Sequence, residues 1–197
     1  DETHVKAYFY TPYGKPSTIE GTSNDSTIKQ YLENWYNTYL KDYDNLLATT
    51  TFCNDTSLSH EAQSRYYGIL DRVAHDQNIE ISPQFTCDAT YLGFGGKYQL
   101  KVGLLTADEM SFAGLKKGKI NPTTYLTKDI IGFYTMTPMY LSSNFDFSLL
   151  GFNSSNGEFG IISQDDRNNN VRPVINLKSD VKVTKGEGTK ENPYVIE

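Results

Sequence analysis

Val102-Gly103-Leu104-Leu105-Thr106-Ala107-Asp108-Glu109-Met110-Ser111-Phe112-Ala113-Gly114 is the stretch on which the fold turns. Its apolar beginning reads as a buried strand. Thr106 followed by Glu109 is a capping box, in which the Thr106 hydroxyl accepts from the Glu109 amide and the Glu109 carboxylate accepts from the Thr106 amide. Gly114 stands where a left-handed C-terminal cap needs a residue without a Cβ. A short helix is therefore predicted over Ala107–Ala113, fed directly by a strand.

Upstream, the clearest periodicity runs from Ser26 to Lys41. Ile28, Tyr31, Leu32, Trp35, Tyr36, Tyr39 and Leu40 recur at three- and four-residue spacing, while Lys29, Glu33, Asn34, Asn37 and Lys41 fill the other face. This predicts an amphipathic helix capped by Asn24, Asp25 or Ser26, with Trp35 as a core residue. A second helix is expected through Glu61 to Ala74, with Ala62, Tyr66, Leu70 and Val73 inward. A strand-like run, Val5 to Tyr10, precedes a turn-rich segment with Pro12, Gly14, Pro16 and Gly21. Glycines 93, 95 and 96 predict a loop before a strand over Gln99–Leu105.

Downstream, short strands are expected to dominate. Thr135-Met136-Thr137-Pro138 reads as a strand ending at its proline. Further strands are expected at Phe145–Phe152, Glu158–Ile162, Val171–Leu177 and Val181–Thr184, separated by turn-rich breaks. Lys185-Gly186-Glu187-Gly188 is a turn before a last strand at Tyr194-Val195-Ile196. No internal repeat or low-complexity tail is present. The expectation is one α+β domain over residues 1–197, with 178–197 as a C-terminal hairpin extension.

A net charge of -6 argues against a nucleic-acid partner, which would require clustered Lys and Arg. Lys116, Lys117 and Lys119 around Gly118 read as a solvated loop. No apolar run approaches the roughly 18 residues of a membrane span. The opening Asp1-Glu2-Thr3 looks like a mature or trimmed start. Fifteen Tyr and ten Phe among many Asn, Thr and Ser suit a surface β-rich protein. The two cysteines, Cys53 and Cys87, are expected to form a disulfide outside the cell. The other reading is a pair of reduced, buried thiols.

The capping stretch, together with Val171-Arg172-Pro173-Val174-Ile175-Asn176-Leu177, resembles two landmarks of the formylglycine-generating-enzyme and C-type-lectin-like superfamily. A closer set comprises Asn24-Asp25-Ser26-Thr27-Ile28-Lys29, Asn34-Trp35-Tyr36, Phe52-Cys53-Asn54-Asp55, Gly103 to Glu109 and Asn176 to Ile196. That set is similar to an uncharacterised domain of surface proteins of Gram-positive bacteria, in the same order over nearly the whole chain. The resemblance implies a lectin-like fold, with twisted antiparallel strands, two or three helices and long loops forming a recognition face. It also implies an extracellular or cell-surface location, but fold does not fix function.

Formylglycine-generating enzymes bind copper through a cysteine pair late in the fold. Here both cysteines precede Thr106, so the soft thiolate ligands of that oxidase are missing and the chain is read as not an enzyme. His4, His60 and His75 lie in ordinary polar contexts, and no Ser sits in a nucleophile elbow; the neighbours Ser59, His60 and Glu61 make no triad. Asp108 and Glu109 are assigned to the cap. Asp165, Asp166, Asn168 and Asn169 could supply oxygen ligands to calcium, although a solvated Asx-rich turn is the favoured reading and the spacing is not that of an EF-hand. No other cofactor is called for.

The expected function is a binding module for a glycan or protein ligand. Its loops between Met139 and Asn170 would present Tyr140, Asn144, Phe152, Asn153 and Asn156 beside the acidic turn, with aromatic stacking and amide hydrogen bonds making the contact. The alternatives are a structural spacer without a ligand and the formylglycine-type oxidase. Sequons at Asn24, Asn54 and Asn153 read as coincidence in a bacterial chain.

Overall fold

The structure is a computed structural model that describes residues 27–55, 57, 59, 69, 72–73, 82–85, 87, 96–117, 126–127, 132–141, 147–153, 158–163 and 169–197. The class is α+β: few helices, with small antiparallel sheets around one apolar cluster. Among the described residues, α1 spans Thr27–Tyr39, a 3-10 turn Lys41–Tyr43 and α2 Ala107–Phe112. The strands are β1 (Thr50–Asn54), β2 (Gly96–Leu100), β3 (Val102–Gly103), β4 (Phe133–Leu141), β5 (Phe147–Phe152), β6 (Phe159–Ser163), β7 (Val174–Ile175), β8 (Val183–Lys185) and β9 (Val195–Ile196).

In α1, Ile28, Leu32 and Tyr36 are buried at four-residue spacing and Trp35 packs half-buried beside them. This places the stripe one turn short of the expectation, because Tyr39 is 65% exposed at the helix end. The Tyr36 hydroxyl donates to Asp44, fastening the helix to the 3-10 turn. Burial, then the hydrogen bond and charge of Asp44, push the Tyr36 pKa up to about 12. Ile69 and Val73 are buried and four residues apart, as one helical face would place them; the rest of the expected second helix, like the Val5–Tyr10 strand, lies outside the described residues.

The expected strand over Gln99–Leu105 is two strands. It starts earlier, at Gly96, and bends at Lys101 between β2 and β3. β2 pairs antiparallel with β1, Thr50 opposite Leu100 and Asn54 opposite Gly96, whereas β3 pairs with β7 through Val102 opposite Ile175. The strand that enters the capped helix and the strand that follows Arg172 are thus neighbours in one sheet. The bend lays β3 over Phe52, whose ring lies where a side chain at Gly103 would begin: a Cβ there would meet Phe52 Cδ1 at 2.3 Å.

The capping box forms as expected. Glu109 N donates to Thr106 Oγ1 at 3.1 Å, and Thr106 N donates to Glu109 Oε2 at 2.7 Å. α2 stops at Phe112, Ala113 caps it and Gly114 follows at φ +97°. Ala107 N also donates to the buried Thr137 Oγ1 at 2.8 Å, and Met136 N to Leu105 O at 2.8 Å, so the helix start is pinned to β4.

β4 does not end at Pro138. It continues to Leu141, and the register against β5 shifts on both sides of the proline, so an irregularity in the ladder absorbs the missing donor. β4, β5 and β6 form the largest sheet among the described residues. Phe133, Met136, Leu150, Phe159 and Ile162 of this sheet are buried in one apolar cluster with Ile28, Leu32, Leu104 and Met110, and Phe159 and Ile162 lie on opposite faces of β6. β8 and β9 form the C-terminal hairpin, turning through Gly186 at φ +92° and Gly188 at φ +76°. No helix among the described residues is long and apolar enough to cross a membrane.

Candidate functional site

A cleft of about 240 Å³ opens where β1, the segment 82–85, the first turn of α2 and β7 meet. β1 contributes Thr50, Thr51, Phe52 and Cys53, the segment contributes Gln84 and Phe85, and the capping segment contributes Thr106, Asp108 and Glu109; Val174 and Asn176 complete the lining.

The segment carrying Phe85 is held in place by three ties. The Cys53–Cys87 disulfide joins it to β1 across a separation of 34 residues. Gln84 N donates to Asp108 Oδ1 at 2.9 Å, and Ser82 N donates to Arg72 O at 2.9 Å. Arg72 sits at the centre of a buried ion group. Its Nε and Nη2 donate to the two Asp108 oxygens at 3.1 and 3.0 Å, and its Nη1 pairs with Asp55 Oδ2 at 2.9 Å. Asp55 also accepts from Ser57 N at 2.9 Å and Ser57 Oγ at 3.0 Å. Burial pulls the Arg72 pKa down, but the hydrogen bonds and charges of Asp108 and Asp55 outweigh it and leave the guanidinium above its ordinary value.

The outcome is an aromatic wall set in solvent. Phe85 is 72% exposed and Phe112 52% exposed, and their rings stack with centroids 4.3 Å apart and planes 6° from parallel. Asn176 Nδ2 donates to Thr50 Oγ1 at 2.7 Å across the opposite end of the cleft. Asp108, assigned from sequence to the helix cap, instead serves Arg72. The cap belongs to Thr106 and Glu109 alone.

Of the ligand-contact residues named from sequence, none of the described ones lines this cleft. Asn144, Asn156, Asp165, Asp166 and Asn168 lie outside the described residues. Tyr140 is on β4, with its backbone opposite Ser148. Asn153 is half-buried at the end of β5, where its amide donates to Glu158 O at 2.8 Å. Asn169 is half-buried, and among the described residues its amide nitrogen and oxygen are enclosed without a hydrogen-bond partner.

Phe152 corrects the expectation. It is 6% exposed, with its ring 5.9 Å from that of Phe133, so the ligand contact expected of it is replaced by core packing. Alternation suggests one wet face, but Leu150, Gly151 and Phe152 are all buried, so both faces of β5 are covered at its end. The sequence pattern does not single out Phe85 and Phe112. They are far apart in sequence, and only the folding of 82–87 onto α2 makes them one surface. The Phe85-Thr86-Cys87 run beside a disulfide cysteine was the available signal.

Among the described residues, no group of three His, Cys, Asp or Glu side chains converges as a metal ion would require. Comparison with protein-family models, with curated proteins and with solved structures finds no match to this chain.

Proposed function

We propose that the chain is a non-catalytic binding module of lectin-like architecture, displayed outside the cell, whose ligand seats in the cleft bordered by Phe85. One observation carries this reading: two phenyl rings, fixed by a disulfide and a buried ion group, stay in water beside a lined cleft. Exposed apolar surface next to a concave, mixed polar site marks a place of contact. The wall is also pre-organised, so a ligand would order little on binding. The disulfide supports the extracellular location, since such bonds persist in oxidising compartments. Capping strand and Arg172 strand in one sheet support the lectin-like architecture.

The test is an array of glycans and peptides probed with the wild-type chain and with Phe85→Ala, with and without calcium. Signal on defined ligands that falls with Phe85→Ala supports the module. Signal that ignores the substitution, or none on either class, overturns it.

A spacer is the second reading. The observation in its favour is the β8–β9 hairpin, which leaves Val183, Tyr194 and Val195 exposed for packing against another structured unit.

A further inference from the structure

We infer that this cleft takes a trimethylated ammonium group, seated between the ring of Phe85 and the carboxylate of Glu109. The inference rests on the binding-module reading and names the chemical class of its ligand.

Charge sets the sign of the ligand. Among the described residues the lining holds two carboxylates, Asp108 and Glu109, and no Lys, Arg or His. Asp108 shares Arg72 with Asp55, so one cation faces two carboxylates and that group keeps a negative charge. Glu109 pairs with no cation among the described residues. Its carboxylate accepts from Thr106 N and Thr106 Oγ1, both on Oε2. A cationic ligand is complementary to this cleft, and an anionic one is repelled.

The ring gives that cation a seat. Phe85 stacks on Phe112 by one face, and Phe112 is absent from the lining, so the cleft meets Phe85 on a side that Phe112 does not cover. A cation against a phenyl ring is drawn by the π cloud, and a carboxylate lining the same small cleft adds to the attraction.

Hydrogen bonding selects the kind of cation. Asn176 donates to Thr50, Gln99 to Thr51, Arg72 and Gln84 N to Asp108, and Thr106 to Glu109. These side chains already hold partners within the protein. A sugar or a primary ammonium draws on polar groups left open to it, whereas a fully methylated ammonium has no N–H to satisfy. Phe52 and Val174 add apolar lining for its methyl groups. At about 240 Å³ the cleft is smaller than the roughly 300 to 1,000 Å³ of pockets for drug-sized molecules, so a compact group suits it.

The experiment titrates the wild-type chain with choline and with its tert-butyl isostere, in which carbon replaces the charged nitrogen, and follows amide NMR shifts. Choline should shift the amides of Gln84 and Glu109 saturably, and the isostere should bind more weakly. Glu109→Gln keeps the capping box, since Gln serves at that position. It should weaken choline about 2- to 5-fold at low salt, a difference that shrinks as salt is raised, and leave the isostere unchanged. Phe85→Ala should remove the choline shifts. No saturable shift, equal affinity for choline and isostere, or indifference to either substitution overturns the inference. A trimethyl-lysine peptide and tetramethylammonium then separate the sources: tighter binding of the peptide supports the site with a protein ligand, and equal binding supports it with a small molecule. Preference for the same peptide with unmodified lysine overturns the inference. An array ligand lost with Phe85→Ala, with no binding of choline, overturns it but leaves the module intact. Array ligands that ignore Phe85→Ala, with no binding of choline, overturn both.

Discussion

The corner around Arg72 and the β4–β5–β6 sheet are built on different physics. The sheet is held by apolar area: Phe133, Met136, Leu150, Phe159 and Ile162 close against α1 and α2, and even its buried hydroxyls are satisfied, Thr135 by Leu150 O and Thr137 by Ala107 N. The corner is held by one covalent bond and one ion group, while its two phenyl rings stay in water. A segment fixed by ties rather than by burial can keep its apolar side chains outside without coming loose. That is how a recognition surface and a folded core coexist in one chain.

The contrast is most exposed to Arg72→Met. Removing the guanidinium leaves Asp55 and Asp108 as buried carboxylates without the cation that balances them, a change that costs about 3 to 5 kcal/mol. Urea denaturation measures the total, and hydrogen exchange its location. The amide of Gln84 should lose protection first while those of β5 keep theirs. Uniform loss would show that the corner and the sheet are one cooperative unit.

Next in size is the double change Cys53→Ser with Cys87→Ser. Freeing a loop of 34 residues should lower stability by about 3 to 4 kcal/mol in the loop-entropy account, read again from urea midpoints. Affinity at the cleft should fall further than stability alone explains, because Phe85 loses its anchor. On the sheet side, Gly151→Ala would set a Cβ 2.0 Å from Ile162 Cδ1 and 2.8 Å from Phe133 O. Overpacking of that kind costs about 1 to 3 kcal/mol in a thermal melt, with no change at the cleft. A cleft effect would erase the distinction.

The smallest effect at neutral pH belongs to the Tyr36–Asp44 tie. The folded-state pKa of Tyr36 is raised to about 12, so between the ordinary tyrosine value near 10 and about 12 the folded chain holds more proton than the unfolded one. Stability from this tie is complete below pH 10 and drains away as pH climbs through 12. Wild type should lose its margin over Tyr36→Phe in that window, measured by denaturation at fixed pH. A parallel pair of curves would remove the tie from the account.

What the sequence disclosed was local. Thr106, Glu109 and Gly114 lie within a few residues of one another, and their geometry follows from side-chain reach alone, so cap and helix end are legible. The alternating strands around β5, β6 and the terminal hairpin are legible for the same reason. Pro138 misled because the expected stop assumes a regular ladder, and an irregular register supplies another solution. The Arg72–Asp108 contact spans 36 positions and leaves no periodic trace. Asp108 was therefore read as part of the cap, its nearest explanation, and the cleft that depends on it was not seen. Phe152 is enclosed because both faces of β5 are covered at its end, which an alternating pattern does not reveal.

The seating of Phe52 over Gly103 carries an evolutionary corollary. With the ring occupying the space of the missing Cβ, the two positions cannot vary independently: a larger residue at 103 is admissible only where 52 has shrunk. Relatives sharing this chain's bend after β2 should therefore trade bulk between the two sites, and a variant library randomised at both should return survivors along that diagonal.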